Sequence, residues 1–258
     1  MTLHLILKKI VHSFQKICFY WKILKYCHSL NRLLVIDNNN NKNVGLLLAG
    51  GYSSRFNSSV PKQLYAFNEK LLIEYSIELL VKHLDTIIIV TNSKCYLQIT
   101  NLLVRKNYTN KIFVIQNDIN CRLESIECGL NYINNNIPNI HFKNIIIHDS
   151  ARPFIPDDYI INLLSNTKYY SQYCLKLTNG LIDDRLNTLD RDKYLELCSP
   201  ICMNYNLCSY IFFRFITKKH RNVHEFIDIL SIYRVTIDLL YGEYKYLKKI
   251  TYLDDLLD

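Results

Sequence analysis

The chain has 258 residues, 49% of them hydrophobic, and carries 31 Lys+Arg against 23 Asp+Glu, a formal net charge of +8. That length holds one sizeable core with an extension. Nine cysteines, an odd count with no C-x-x-C pair, exclude a disulfide framework. The charge points to no nucleic-acid partner, because through Asn43 there are seven Lys/Arg against Asp37 alone, so +6 of the +8 lies in that first segment.

The segment Met1 to Ile36 mixes Leu, Ile, Phe, Tyr and Trp21 with a lysine every few residues. It has no apolar run of about 18 residues, so no integral membrane span is expected. Basic, acid-poor, amphipathic segments ahead of a complete domain resemble organelle transit peptides. A plastid-type organelle is the expected location, with the cytoplasm as the alternative. A surface helix packed on the domain, or a peripheral membrane helix, would give the same pattern. Asn38 to Asn41 form a polar break before a domain expected over residues 44–258.

Val44–Leu48 is an apolar run that predicts a buried strand. It ends in Ala49-Gly50-Gly51, and a short polar loop then carries Ser53, Arg55 and Lys62. A strand delivering a small-residue loop is a common phosphate site: glycines let the backbone approach, loop N–H groups face the anion, and cations neutralise the rest. Two fixed cations suit a triphosphate whose charge must be held while a bond breaks. Apolar spacing then predicts a helix over Leu72–His83, a strand over Thr86–Val90 and a helix over Lys94–Arg105. A strand over Lys111–Ile115 and a helix over Ser125–Ile133 follow.

Asn144–His148 is the next buried strand, and it ends in Asp149-Ser150-Ala151-Arg152. An aspartate at the carboxyl end of a central strand lies where open α/β sheets place ligands. It suits Mg²⁺, which prefers oxygen and often takes only one or two ligands from protein. His148 reads as a packed strand-end residue. A helix over Asp157–Ser165 follows Pro156. Gln172–Phe215 shows no regular pattern. Within it, Cys198 and Cys202 have a spacing that a metal site uses, but no second pair completes four ligands. Glu225–Tyr233 reads as a helix and Val235–Leu240 as a late strand returning to the sheet. The alternation predicts an α/β fold: a Rossmann-like, mostly parallel sheet with helices on both faces.

LLAGGYSSRF (47–56) with VPKQ (60–63), followed by IIIHDSARPF (145–154), resembles the sugar- and polyol-phosphate cytidylyltransferases. Within them it is most similar to the 2-C-methyl-D-erythritol 4-phosphate cytidylyltransferase family of the non-mevalonate isoprenoid pathway. Further matches are Arg122-Leu-Glu-Ser125 with Gly129-Leu130, Thr188-Leu-Asp-Arg191, and Lys249-Ile250-Thr251 with Asp254-Asp255-Leu256. The resemblance runs from about Val44 to the C-terminus. It implies Mg²⁺-dependent transfer of CMP from CTP to 2-C-methyl-D-erythritol 4-phosphate, with release of pyrophosphate, by a homodimer that pairs through a β-arm.

The resemblance also implies roles. Arg55, Lys62, Arg191 and Lys249 would be the catalytic residues, with Arg55, Lys62 and Lys249 holding the triphosphate. Ala49, Gly50, Gly51, Ser53, Arg122 and Ser125 would contact the nucleotide, and Asp149 the metal. Arg152, Arg191, Thr178 and Ser199 would bind the acceptor, Arg191 at its phosphate, since its fork matches phosphate geometry. A phosphate attacking at neutral pH is already an anion, so no general base is needed. The chain departs from the family pattern in four places. Ser53 stands where the second glycine of G-x-G-x-R belongs, so that a side chain crowds the triphosphate or the backbone avoids positive φ. Cys198-Ser199-Pro200-Ile201 replaces Q-T-P-Q, Thr178-Asn179 is the nearest match to D-T, and Val223-His224-Glu225 replaces T-D-[DE]. The nucleotide half is better kept than the acceptor half. Two alternatives therefore remain: a cytidylyltransferase for another polyol phosphate such as ribitol 5-phosphate, and a non-catalytic descendant of the fold.

Overall fold

A computed structural model describes residues 42–119, 121–166, 168–216, 225–232 and 235–257. The targeting segment expected over Met1 to Ile36 and the Val223-His224 match lie outside the described residues. The central strands are β1 (Asn43–Ala49), β4 (Thr86–Thr91), β5 (Ile112–Gln116) and β6 (Asn144–Asp149). They pair in parallel, with Leu46 opposite both Ile88 of β4 and Ile147 of β6. Their near-continuous apolar runs are what a strand covered on both faces requires.

Three more strands complete a seven-stranded sheet: β7 (Tyr170–Lys176), β10 (Leu195–Asn204) and β11 (Ile237–Tyr241). The order is β11-β7-β10-β6-β1-β4-β5. β10 runs antiparallel to both β6 and β7, and β11 is parallel to β7. The stretch Gln172–Phe215, irregular by pattern, thus contains the longest strand described. β7 buries Ser171 and Gln172, and the β7–β10 register shifts between Cys198 and Ile201. Polar residues inside and a broken register erase the apolar run that marks a buried strand. Two small pairs lie apart: β2 (Ala66–Phe67) with β3 (Lys70–Leu71), and β8 (Leu181–Ile182) with β9 (Thr188–Leu189).

Helices α1 (Leu72–His83), α2 (Ser93–Arg105) and α4 (Asp157–Ser165) cover one face. There Leu47 and Ile89 of the sheet share a core with Ile77, Ile99 and Ile160. Helices α3 (Arg122–Asn136), α5 (Tyr205–Ile211) and α6 (Phe226–Ile232) cover the other. There Leu46 and Ile88 pack with Ile126, Leu130, Ile211 and Phe226. A short helix, α7 (Tyr244–Leu247), follows β11. Helix α3 lies so close to β1 that a Cβ on Gly129 would fall 2.2 Å from Leu46 Cδ1. It begins at Arg122, three residues before the expected start, so Ser125 sits in the first turn rather than at the cap. This brings the Arg122 side chain to the carboxyl ends of β1 and β6.

Candidate nucleotide-binding active site

The loop after β1 is drawn inward by its carbonyls. Gln63, only 3% exposed, donates from Nε2 to Ala49 O at 2.6 Å and to Gly51 O at 2.8 Å. Asn92 Nδ2 donates to Gly50 O at 3.0 Å, while its Oδ1 caps α2 by accepting from Cys95 N–H. With the carbonyls tied back, no N–H group from Gly51 to Arg55 has an acceptor among the described residues. Such free N–H groups around a small-residue loop form an anion cradle. A Cβ on Gly51 would meet nothing within 4 Å, so that glycine faces open space.

Phe56 pins the loop. It is buried with Leu72, Ile250 and Leu256, and its ring meets Tyr65 edge-on at 5.3 Å. Arg55, one residue earlier, is thereby held at the exposed rim. Lys62 opens a short 3-10 turn, Lys62–Leu64, and its Nζ donates to Ile250 O at 2.5 Å. Burial, then the cations Lys249 and Arg55, pull the Lys62 pKa down to about 8, against the opposing pull of Asp149 and Asp255. Ser53 keeps the left-handed backbone expected of a glycine, at φ 57°. Avoidance of positive φ is therefore not how the chain accommodates serine here.

Asp149 ends β6 and forms the opposite wall. Its N–H donates to Ser199 Oγ at 3.1 Å. Its carboxylate lies 3.5 Å from Arg122 Nε and 3.8 Å from Lys249 Nζ. Burial alone would raise its pKa, but Arg122 and Lys249 outweigh burial and hold it below the ordinary carboxylate value. Glu225 holds the other end of the guanidinium, 3.2 Å from Arg122 Nη1. A cavity of about 300 Å³ lies between these walls, lined by Gly50, Gly51, Ser53, Arg55, Lys62, Arg122, Ser125, Asp149 and Lys249 among others. Four cations face one carboxylate, an arrangement built for a polyanion.

The remaining expected residues lie elsewhere. Ala49 is buried at the strand end and reaches the site through its carbonyl. Arg152 is only 5% exposed; it donates to Leu247 O and lies 3.5 Å from Glu196, tying α7 to β10. Ser199 is buried beneath Asp149. Thr178 and Arg191 are exposed in the region around β8 and β9, where Arg191 donates to Thr178 O. The structure thus brings most of the residues expected to contact the nucleotide to one cavity and leaves Ala49, Arg152, Thr178, Arg191 and Ser199 outside its lining.

Gln63, Asn92 and Glu225 shape this site without having been assigned to it from sequence. Gln63 stands inside the VPKQ string, which flags the segment but not the amide's task. Asn92 carries the strand-to-helix cap signal. Glu225 stands in the string matched to T-D-[DE], which flags the position but not its pairing with the distant Arg122. His148 is fully buried, with Nε2 3.3 Å from Ser76 Oγ, and burial lowers its pKa to about 4. It is a neutral packed residue.

No three His, Cys, Asp or Glu residues come together as a metal-binding group among the described residues. Burial pushes the Cys198 and Cys202 thiols up to about 11 and about 12, which keeps them protonated. An ionised Asp149 at the cavity wall is the donor set that Mg²⁺ commonly uses beside substrate phosphates. Among the described residues, no helix is long and apolar enough to cross a membrane.

Known proteins supply the remaining comparison. A 2-C-methyl-D-erythritol 4-phosphate cytidylyltransferase from Thermosipho africanus is 27% identical over 221 residues, covering 83% of this chain and 94% of that protein. One from Clostridium botulinum is 26% identical over 225 residues, covering 84% and 95%. The crystal structure of 4-diphosphocytidyl-2C-methyl-D-erythritol synthase from Anaerococcus prevotii shares the fold, with a TM-score of 0.69 at 16% identity, over 84% of this chain and 96% of that one. The sequence pattern of the 2-C-methyl-D-erythritol 4-phosphate cytidylyltransferases matches residues 44–257, nearly everything beyond the basic N-terminal segment. The chain belongs to that family.

Proposed function

We propose that this protein transfers CMP from CTP to 2-C-methyl-D-erythritol 4-phosphate, in isoprenoid precursor biosynthesis. The observation that carries the reading is the convergence of Arg55, Lys62, Arg122 and Lys249 on one small cavity beside Asp149. An oxygen of the acceptor phosphate attacks the α-phosphorus of CTP. The bond from that phosphorus to the bridging oxygen of the β-phosphate breaks, and pyrophosphate leaves with the electron pair. Such transfers need alignment and charge stabilisation more than covalent help. Lys62 and Arg55 stabilise charge on the phosphoryl oxygens, and the loop N–H groups orient them. Lys249 acts from the opposite wall. Arg122, braced by Asp149 and Glu225, directs its remaining donors to the nucleotide.

Asp149 and the substrate phosphates would together hold Mg²⁺, which when bound neutralises charge along the triphosphate. Arg191 recognises the acceptor phosphate. Its exposed position supports delivery by the arm of a partner copy in a homodimer, and so do Ile182 and Leu186 nearby, exposed by 62% and 79%. The basic segment before residue 44 addresses the protein to a plastid-type organelle.

Pyrophosphate release from CTP, followed with each acceptor in turn, tests the function. Release with 2-C-methyl-D-erythritol 4-phosphate and Mg²⁺ supports it. Release with ribitol 5-phosphate alone would reassign the acceptor. No release with either would make the chain a binding module.

A further inference from the structure

We infer that Ser53 is a positioning residue for Lys62, acting through a contact that the glycine of the family pattern could not make. Lys62 is the first residue of its 3-10 turn, and the preceding Pro61 offers no side-chain cap. Its N–H is therefore an orphan donor of the kind every helix start leaves. Ser53 Oγ takes that role from nine residues away, accepting the Lys62 N–H at 3.0 Å. The same hydroxyl donates to Gln63 Oε1 at 3.1 Å. Gln63 in turn spends its amide hydrogens on Ala49 O and Gly51 O. Every donor in this relay has an acceptor, which fixes the hydroxyl and the amide in one orientation.

The relay runs from the end of β1, through the loop, to the backbone of Lys62. It sets where the Lys62 stem begins and hence where its ammonium reaches across the cavity towards Ile250. Serine at φ 57° is a costly choice, since only glycine adopts left-handed backbone freely. A further link, Phe56 N–H to Ser53 O at 3.0 Å, closes the turn around that residue. The side chain does not simply crowd the triphosphate: both of its polar contacts are directed at the segment that carries Lys62. The inference rests on cytidylyl transfer as the reaction, and it adds that the Ser53 hydroxyl orients the lysine in this chain.

Three variants of the full chain separate positioning from mere folding. Ser53→Gly relieves the left-handed strain and removes the hydroxyl. Ser53→Ala keeps the strain and removes the hydroxyl. Ser53→Thr keeps the hydroxyl and worsens the strain, because β-branching is poorly tolerated at positive φ. Thermal melts and steady-state kinetics with CTP are measured on each. The expected result is crossed. Ser53→Gly should melt close to the unaltered chain yet lose kcat by roughly tenfold to a hundredfold, the scale of a misplaced catalytic group, with little change in the KM of CTP. Ser53→Ala should show the same kcat loss with a lower Tm. Ser53→Thr should melt lower yet retain more kcat than Ser53→Ala, a partial rescue by the retained hydroxyl. Unaltered kcat in Ser53→Gly would overturn the inference, as would a kcat that simply follows Tm across the set. Failure of the function itself would look different, since the unaltered chain would then show no turnover at all.

Discussion

Lys62 sits among like charges, and its chemistry should show this. Burial together with Lys249 and Arg55 favours the neutral amine, so the cation is lost as pH rises through about 8, well below the ordinary lysine value of 10.5. kcat/KM for CTP should therefore fall through that pH, because it reports the free enzyme. Lys62→Arg, whose guanidinium stays charged, should remove this alkaline limb even if turnover is lower overall. A limb that persists unchanged would assign the titration to another group. Lys62→Ala and Arg55→Ala should each lose on the order of a hundredfold in kcat, the usual effect of removing a transition-state charge contact. Wild-type turnover in either would remove that residue from the catalytic set. The positions of Arg55, Lys62, Asp149 and Lys249 were legible in sequence because each lies in a short string tied to a strand end or a loop. The tasks of Gln63, Asn92 and Glu225 were not. Each depends on an approach between distant segments, such as the 103-residue separation of Arg122 and Glu225.

Helix α3 against β1 shows how tightly the elements must fit for Arg122 to reach Asp149. Gly129→Ala would place a methyl on Leu46 and should destabilise the fold by about 1–3 kcal/mol, the usual penalty for overpacking. Denaturant unfolding measures this directly; a change near zero would mean the helix can shift without loss. The β8–β9 region supplies a second prediction. Arg191→Lys keeps the charge and loses the bidentate fork, at a cost of roughly 1.5–3 kcal/mol. The acceptor KM should therefore rise about tenfold or more while that of CTP stays near its original value. An equal rise in both, or none, would return Arg191 to the role of a surface turn residue bonded to Thr178. β1, β4 and β6 could be read from apolar runs because both faces of each are buried. β7 and β10 could not. They are antiparallel to one another, bury Gln172 and Ser199, and shift register between Cys198 and Ile201.

Across the whole chain, two cores on opposite faces of one sheet position a cationic loop, a carboxylate strand end and a C-terminal lysine around the same cavity. Phe56 and Ile250 link the first of these to the last. All of these groups lie after residue 43, which supports a catalytic unit that stands without the basic N-terminal segment. Removing residues 1–43 should leave a folded protein with kcat unchanged. Insolubility or a large drop in Tm would make that segment structural and end the targeting reading. The most direct test of the central claim is a phosphorus NMR spectrum of the full-length protein with CTP, 2-C-methyl-D-erythritol 4-phosphate and Mg²⁺. Nucleotidyl transfer predicts free pyrophosphate together with a new pair of coupled diphosphate signals, joining the CMP phosphorus to the acceptor phosphate. Signals of CDP or free CMP without that coupled pair, or an unchanged CTP spectrum, would contradict it.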